Sequence, residues 1–213
     1  YEAALADLDR AIELDEKEAW AIANRGETYR LMGNYEAALA DFDRAINLYG
    51  KYPRVIWIII NRVFGMGRRY AYAIAHRGVT YRLMGNYEAA LADFDRAIEL
   101  DENDWYCYDR SIVYLAKSRL NAAEKDLQRA ITLAKQKYQN EPGNWNNTLN
   151  LALYRLAAGQ TADAERLYRE SADAPAGFIR EAILDLEYFL AVLPEHEQAI
   201  AMRNYLLSRV QKG

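Results

Sequence analysis

The chain has 213 residues, 52% hydrophobic and 27% charged, which is enough for a sizeable core and is the composition of a soluble globular or repeat protein. A formal net charge of -4 argues against nucleic acid as the main partner, because phosphate binding needs a basic surface. A lone cysteine, Cys107, excludes an internal disulfide and fits a reducing compartment, and no apolar run reaches the roughly 18 residues that a membrane span needs.

Residues 1–14 read as a lone helix, because Tyr1 to Ile12 repeats Tyr35 to Ile46 at a displacement of 34. A helix pair follows over 17–48, from Lys17 to Met32 and from Tyr35 to Leu48, with Gly33-Asn34 as its turn. In its second helix Ala38, Phe42 and Ala45 stand at i, i+4 and i+7, one stripe with small residues around a ring. One helix cannot bury that stripe alone. The same triplet returns as Ala90, Phe94, Ala97, as Ala123, Leu127, Ala130 and as Ala164, Tyr168, Ser171. A period of this length, with two helix-sized halves, predicts a helical solenoid whose copies share one core.

Segment 49–69 breaks the pattern. It carries Lys51, Arg54, Arg62, Arg68 and Arg69, no acidic residue, and the run Val55 to Ile60. Two readings stand: a degenerate repeat half forming one irregular inserted helix, with Pro53 in its first turn and Gly65-Met66-Gly67 ending it, or a sticky element for a partner, a second copy or a membrane surface. The run is also rich in strand formers, but a lone strand has no pairing partner in an all-helical array.

The span 70–100 is the clearest copy: Arg25 to Ile46 returns as Arg77 to Ile98 with Val79 in place of Glu27. Further pairs are expected over 103–135 and, after the Gln139 to Asn144 loop, over 143–172. Two last helices within 177–213, about Phe178 to Leu193 and Glu195 to Gln211, are expected to cap the array, with Arg203, Asn204, Ser208 and Arg209 giving a polar outer face. Because Tyr1 falls in mid-repeat, the chain reads as a fragment of a longer one, and a signal ahead of Tyr1 stays open.

Gly26 with Tyr29, Gly78 with Tyr81, and Ser111 with Tyr114 stand three apart, each ahead of an Ala-x3-Phe or Ala-x3-Leu second helix. In this the chain resembles the tetratricopeptide repeat family, as a bacterial-type tandem array. Around Tyr154 the Gly place is taken as Leu151, and beyond Asp173 the fit fades. The resemblance implies an all-α, right-handed solenoid of antiparallel helix pairs, and for function only peptide or protein binding. It also implies that first helices line a concave groove. Carried over residue by residue, the groove set is Trp20, Asn24, Glu27 and Arg30, then Tyr72, His76 and Arg82, then Trp105, Tyr108 and Asp109, then Trp145 and Arg155. Trp20, Tyr72, Trp105 and Trp145 would then form a ladder of one large ring per repeat, of the kind that makes interface hot spots; the same rings would equally serve as wedges between neighbouring first helices. The subclass that clamps a terminal carboxylate places Lys and Asn where this chain has Ala23 with Glu27 and Ala75 with Val79, so that mode is not expected.

Nothing points to catalysis. His76 and His196 are far apart in sequence, and no metal, nucleophile or phosphate-loop motif surrounds either. Cys107 between Tyr106 and Tyr108 reads as a half-buried packing residue, and Asp41-Phe42-Asp43 as a solvated face around a buried ring. No enzyme activity, metal or cofactor is expected. The expected function is a cytoplasmic, non-catalytic scaffold for a protein or peptide. The alternative is self-assembly as a homo-oligomer through 55–60 or through open repeat ends, with Leu5 and Leu8 as candidates.

Overall fold

In the computed structural model, which describes residues 1–51 and 66–210, the Ala-Phe-Ala stripes are buried as their spacing requires. Ala38, Phe42, Ala45, Ala90, Phe94 and Ala97 are all 0% exposed. The inserted helix, the 55–60 run, Pro53 and Gly65 lie outside the described residues. Every regular element among the described residues is helical. Residues 1–102 form one compact unit, with α1 (Glu2–Leu14), α2 (Ala19–Leu31), α3 (Tyr35–Tyr49), α4 (Met66–Leu83) and α5 (Tyr87–Leu100). Residues 103–213 form a second, with α6 (Asp104–Ala116), α7 (Leu120–Asn140), α8 (Trp145–Ala157), α9 (Thr161–Glu170), a 3-10 turn (Ser171–Asp173), α10 (Ala176–Val192) and α11 (Glu197–Val210).

Within the first unit α2 pairs with α3 and α4 with α5, while α3 also packs on α4, and α1 on α2. The close approach inside these two hairpins depends on glycine. A Cβ on Gly26 would stand 3.1 Å from the Phe42 ring and 3.2 Å from the Ala38 carbonyl oxygen, and Gly78 meets Phe94 and Asp93 in the same way. In the third hairpin Leu127 replaces the ring, and Ser111 occupies the glycine place fully buried.

The hairpin turns repeat too. Gly33, Gly85 and Gly159 have φ of 77°, 78° and 74°, and the third hairpin has Ser118 there at φ 54°. The amide following each turn residue donates back into the first helix: Asn34 to Tyr29, Asn86 to Tyr81, Arg119 to Tyr114 and Gln160 to Arg155. This turn register puts Arg155 on the place of Tyr29, not Arg30, so the fourth hairpin lies one residue away from the register expected for it. Ala152, 0% exposed, and not Leu151, takes the glycine place.

The aspartates of the second helices correct an expectation. Asp41, Asp93 and Asp126 are not on a solvated face; they are 6%, 6% and 5% exposed. Each takes a two-pronged guanidinium from its own first helix: Arg25 on Asp41 at 2.7 and 2.8 Å, Arg77 on Asp93 at 2.8 and 2.7 Å, and Arg110 on Asp126 at 2.7 Å twice. The remaining prong reaches the preceding second helix, Arg25 to Asp9 at 2.7 Å and Arg77 to Asp43 at 2.6 Å. A Tyr ring lies under each guanidinium at 5.9 to 6.0 Å. In the fourth hairpin the turn register places Leu151 and Leu167 where the others have Arg and Asp, and both are buried. An ion pair has been exchanged for an apolar pair at one position of the fold.

Two element boundaries and one packing arrangement differ from the sequence reading. Met66 and Gly67 do not end a helix; both belong to α4, which is already helical at Met66, and Met66 and Tyr70 pack on the cluster of Ile12, Ile22 and Tyr49. Helix α7 runs five residues past Lys135 to Asn140, which lets Lys137 reach the buried Asp104 at 2.5 Å. The last two helices do not both stack on the end. Helix α11 packs on α9 and α10, but α10 lies against the first helices α6 and α8. Its stripe of Ile179, Ala182, Ile183, Leu186, Phe189 and Leu190 is buried, with Arg180, Glu181 and Glu187 outward.

Two measurements check this account. Replacing Ser118 by Gly relieves a positive φ at a turn where the other hairpins have glycine, and is expected to raise unfolding free energy by about 0.5–1 kcal/mol in urea titrations; a loss of stability would contradict it. Asp93→Leu alone takes the two-pronged partner from Arg77 and leaves it only Asp43, and is expected to cost about 2–4 kcal/mol, whereas Arg77→Leu with Asp93→Leu should return to within about 1 kcal/mol of the parent, as the apolar pair of places in the fourth hairpin indicates. Strictly additive losses would refute the exchange.

Candidate functional site

Helices α2 and α4 bring the first seven groove candidates into one unit. Trp20 is the second residue of α2, its amide held by the Glu18 side chain at 3.1 Å. Its ring stands 5.0 Å from Tyr72 of the next first helix, tilted at 54°, with the Arg69 guanidinium 5.4 Å from its centroid. Both rings are half-buried. Ring contact and partial exposure coexist, so the ladder pair is at once a wedge between first helices and an accessible aromatic surface.

Beneath the rings lies a polar cluster. Arg30 donates to Glu27 through Nε at 2.9 Å and Nη2 at 2.6 Å. The other flank of Glu27 is His76 of α4, its Nδ1 2.6 Å from the carboxylate. His76 in turn lies 4.0 Å from the Tyr72 ring and stacks at 6.1 Å on Phe42. Burial by itself would raise the Glu27 carboxyl, but the adjacent His76 and the Arg30 fork outweigh it and hold it well below the ordinary carboxylate range. Burial, then the Glu27 charge, pushes the Tyr72 phenol above its usual range, so it stays a neutral hydrogen-bond donor. Asn24 folds back, its Nδ2 donating to the Trp20 carbonyl at 2.7 Å. Arg30 and Arg82 are 7% and 8% exposed, which makes them inward residues rather than open cation sites.

The other candidates belong to the second unit and are used differently. Tyr108 is buried and stacks on Tyr154 at 4.7 Å. Asp109 is half-buried, and its charge, behind burial, Asp104 and Asp185 of α10, contributes to lifting the Tyr154 phenol well above its usual value. Trp105, the second residue of α6, meets Tyr106 edge-on at 4.8 Å. Trp145 is the first residue of α8 and so stands one place earlier than Trp20 and Trp105. Arg155 pairs with Asp163. Here the first-helix face already carries α10. Cys107 is 1% exposed, more deeply placed than the half-buried position expected. Among the described residues no group of His, Cys, Asp or Glu is arranged to hold a metal, and no helix is long and apolar enough to cross a membrane.

Residues 19–52 and 71–104 match the tetratricopeptide repeat family, and these are the two hairpins that carry the Gly, Phe and Arg–Asp geometry above. The first unit thus carries two tetratricopeptide repeats. The fold of the chain is similar to that of BtubC (BKLC) from P. vanneervenii, at 9% identity over 98% of this chain and 87% of that one, with a TM-score of 0.56. PilW, a type IV pilus biogenesis factor, matches at 17% identity over 100% and 90%, TM-score 0.53. The Cut9-Hcn1 assembly of the APC/C matches at 14% identity and TM-score 0.54, this chain spanning 97% of itself and 39% of that chain. No curated protein matches the sequence. Tetratricopeptide repeats are in general non-catalytic scaffolds for protein interaction.

The sequence reading of this repeat protein missed the Glu27–His76 link. A signal was present: Glu27 and Val79 are the one difference between the two copies from Arg25 to Ile46, so the acid occurs where the next repeat supplies His76 in place of Asn24. A group whose folded pKa is depressed contributes stability that is complete above its unfolded pKa of about 4.3 and is lost as pH falls through that value toward the folded one. Denaturation at pH 6 and pH 3.5 is therefore expected to show a larger acid loss for the parent than for Glu27→Gln. Equal losses would remove Glu27 from the account.

Proposed function

We propose that the first-helix face of residues 1–102 binds a protein or peptide segment, with Trp20 and Tyr72 as anchors and the Glu27–His76–Arg30 cluster fixing the two first helices beneath them. The observation that carries this is the half-exposed ring pair set on a rigid, ion-paired base. Large amphipathic rings supply contact area with little conformational entropy to lose, and the base keeps them preorganised. The segment expected is an amphipathic helix laid along the face. In favour of that mode, the second unit holds its own apolar helix α10 on α6 and α8, so first-helix surfaces of this chain suit such an occupant. No reaction is assigned to the cluster, whose side chains are engaged with one another; the reading is of a non-catalytic scaffold.

The test begins with peptides selected from a displayed helix library on the full chain. Fluorescence anisotropy is expected to show Trp20→Ala and Tyr72→Ala each weakening the selected peptide by about 1–3 kcal/mol, roughly tenfold or more in Kd, with the helical circular dichroism intact. Undiminished affinity in both variants would reject this face.

A further inference from the structure

Beside the Trp20 end of this face lies a cavity of about 610 Å³ between the start of α2, the end of α3 and the start of α4. It is outside the set of groove residues considered above. Its lining includes three cations, Lys17, Lys51 and Arg69, against one carboxylate, Glu18, which is occupied by the Trp20 amide. None of the three cations forms an ion pair among the described residues. Leu48 and Met66 give the same cavity an apolar wall.

A second observation points to a ligand. Tyr49 lines the cavity and is 3% exposed, yet its hydroxyl has no hydrogen-bond partner. Leaving a buried hydroxyl unsatisfied costs about 1–3 kcal/mol, so such a group invites an explanation. Burial pushes this phenol up to about 12, with Arg69 opposing, so at neutral pH it is a donor. A buried donor among three unpaired cations suits an oxyanion, and the volume is in the range of a small organic ligand rather than of a bare ion.

We infer that this cavity binds an oxyanion, phosphate or carboxylate, carried on an apolar stem, with Lys17, Lys51 and Arg69 supplying charge, Tyr49 donating to an oxygen, and Leu48 and Met66 holding the stem. Assigning that group to a side chain of the bound segment rests on the reading of the Trp20 face; the cavity chemistry does not.

The probe is phenyl phosphate, titrated calorimetrically into the full chain at constant ionic strength, with inorganic phosphate and phenol alongside. Phenyl phosphate is expected to bind more tightly than inorganic phosphate, and phenol not to bind. Lys17→Gln and Lys51→Gln should each weaken phenyl phosphate about tenfold. Tyr49→Phe should weaken it severalfold while leaving the melting temperature of the unliganded protein unchanged or higher, an outcome that a merely structural hydroxyl would not give. Equal binding of phenol, equal binding of inorganic phosphate, or lysine variants that keep full affinity would each overturn the inference. Competition between phenyl phosphate and the Trp20-dependent peptide assigns the oxyanion to the bound segment; phenyl phosphate binding without competition assigns it to a free small molecule. Peptide binding that survives when phenyl phosphate fails rejects the cavity alone, and the reverse result rejects the face alone.

Discussion

The guanidinium of Arg77 ties three helices together, and the arrangement of the repeats in the first unit depends on such ties. Two of its nitrogens hold Asp93 on α5 and the third holds Asp43 on α3, so one side chain sets both the closure of its own hairpin and its position on the preceding one. Arg25 does the same with Asp41 and Asp9. Apolar stripes supply most of the driving force, but alanines and a phenylalanine tolerate sliding, whereas a planar fork meeting a carboxylate has one good geometry. The neighbouring Asp carboxylates keep both guanidiniums firmly charged.

That division of labour explains the fourth hairpin. Leu151 and Leu167 fill the places of the fork, and their burial gives up geometric specificity for apolar side chains that carry no desolvation cost. The neighbours of that hairpin are also the irregular ones. Helix α10 crosses onto the first helices α6 and α8, where an apolar stripe longer than any repeat requires can be buried. In the first unit the corresponding face keeps Trp20 and Tyr72 half exposed. A partly open aromatic surface and a self-covered surface thus arise from the same repeat, and the difference lies in which side chains were left to be covered.

The ion-paired base of the candidate site has a similar logic. Glu27 faces His76 only because consecutive first helices stand side by side, and Arg30 closes the carboxylate from below. The cluster links two repeats beside the Trp20–Tyr72 ring pair, a cross-link of the kind that preorganises a surface. The nearby cavity with its unpaired cations continues from the same corner, since Arg69 touches both the Trp20 ring and the cavity.

The sequence by itself determined the helices, the pairing of most of them and the buried stripes, because periodicity acts within one helix and between immediate neighbours. It also held the Arg–Asp spacing of 16 in three copies, legible as a repeat though read as solvated surface. Only the tertiary structure decided the rest. The one-residue register of the fourth hairpin follows from turn hydrogen bonds, the place of Met66 within α4 goes with packing on Tyr49, and the docking of α10 follows from an apolar face whose partner no local pattern names. Which groove candidates meet, Glu27 with His76 or Tyr108 with Tyr154, was likewise settled by helices brought together across the fold, since a side chain's exposure depends on what its neighbours leave uncovered.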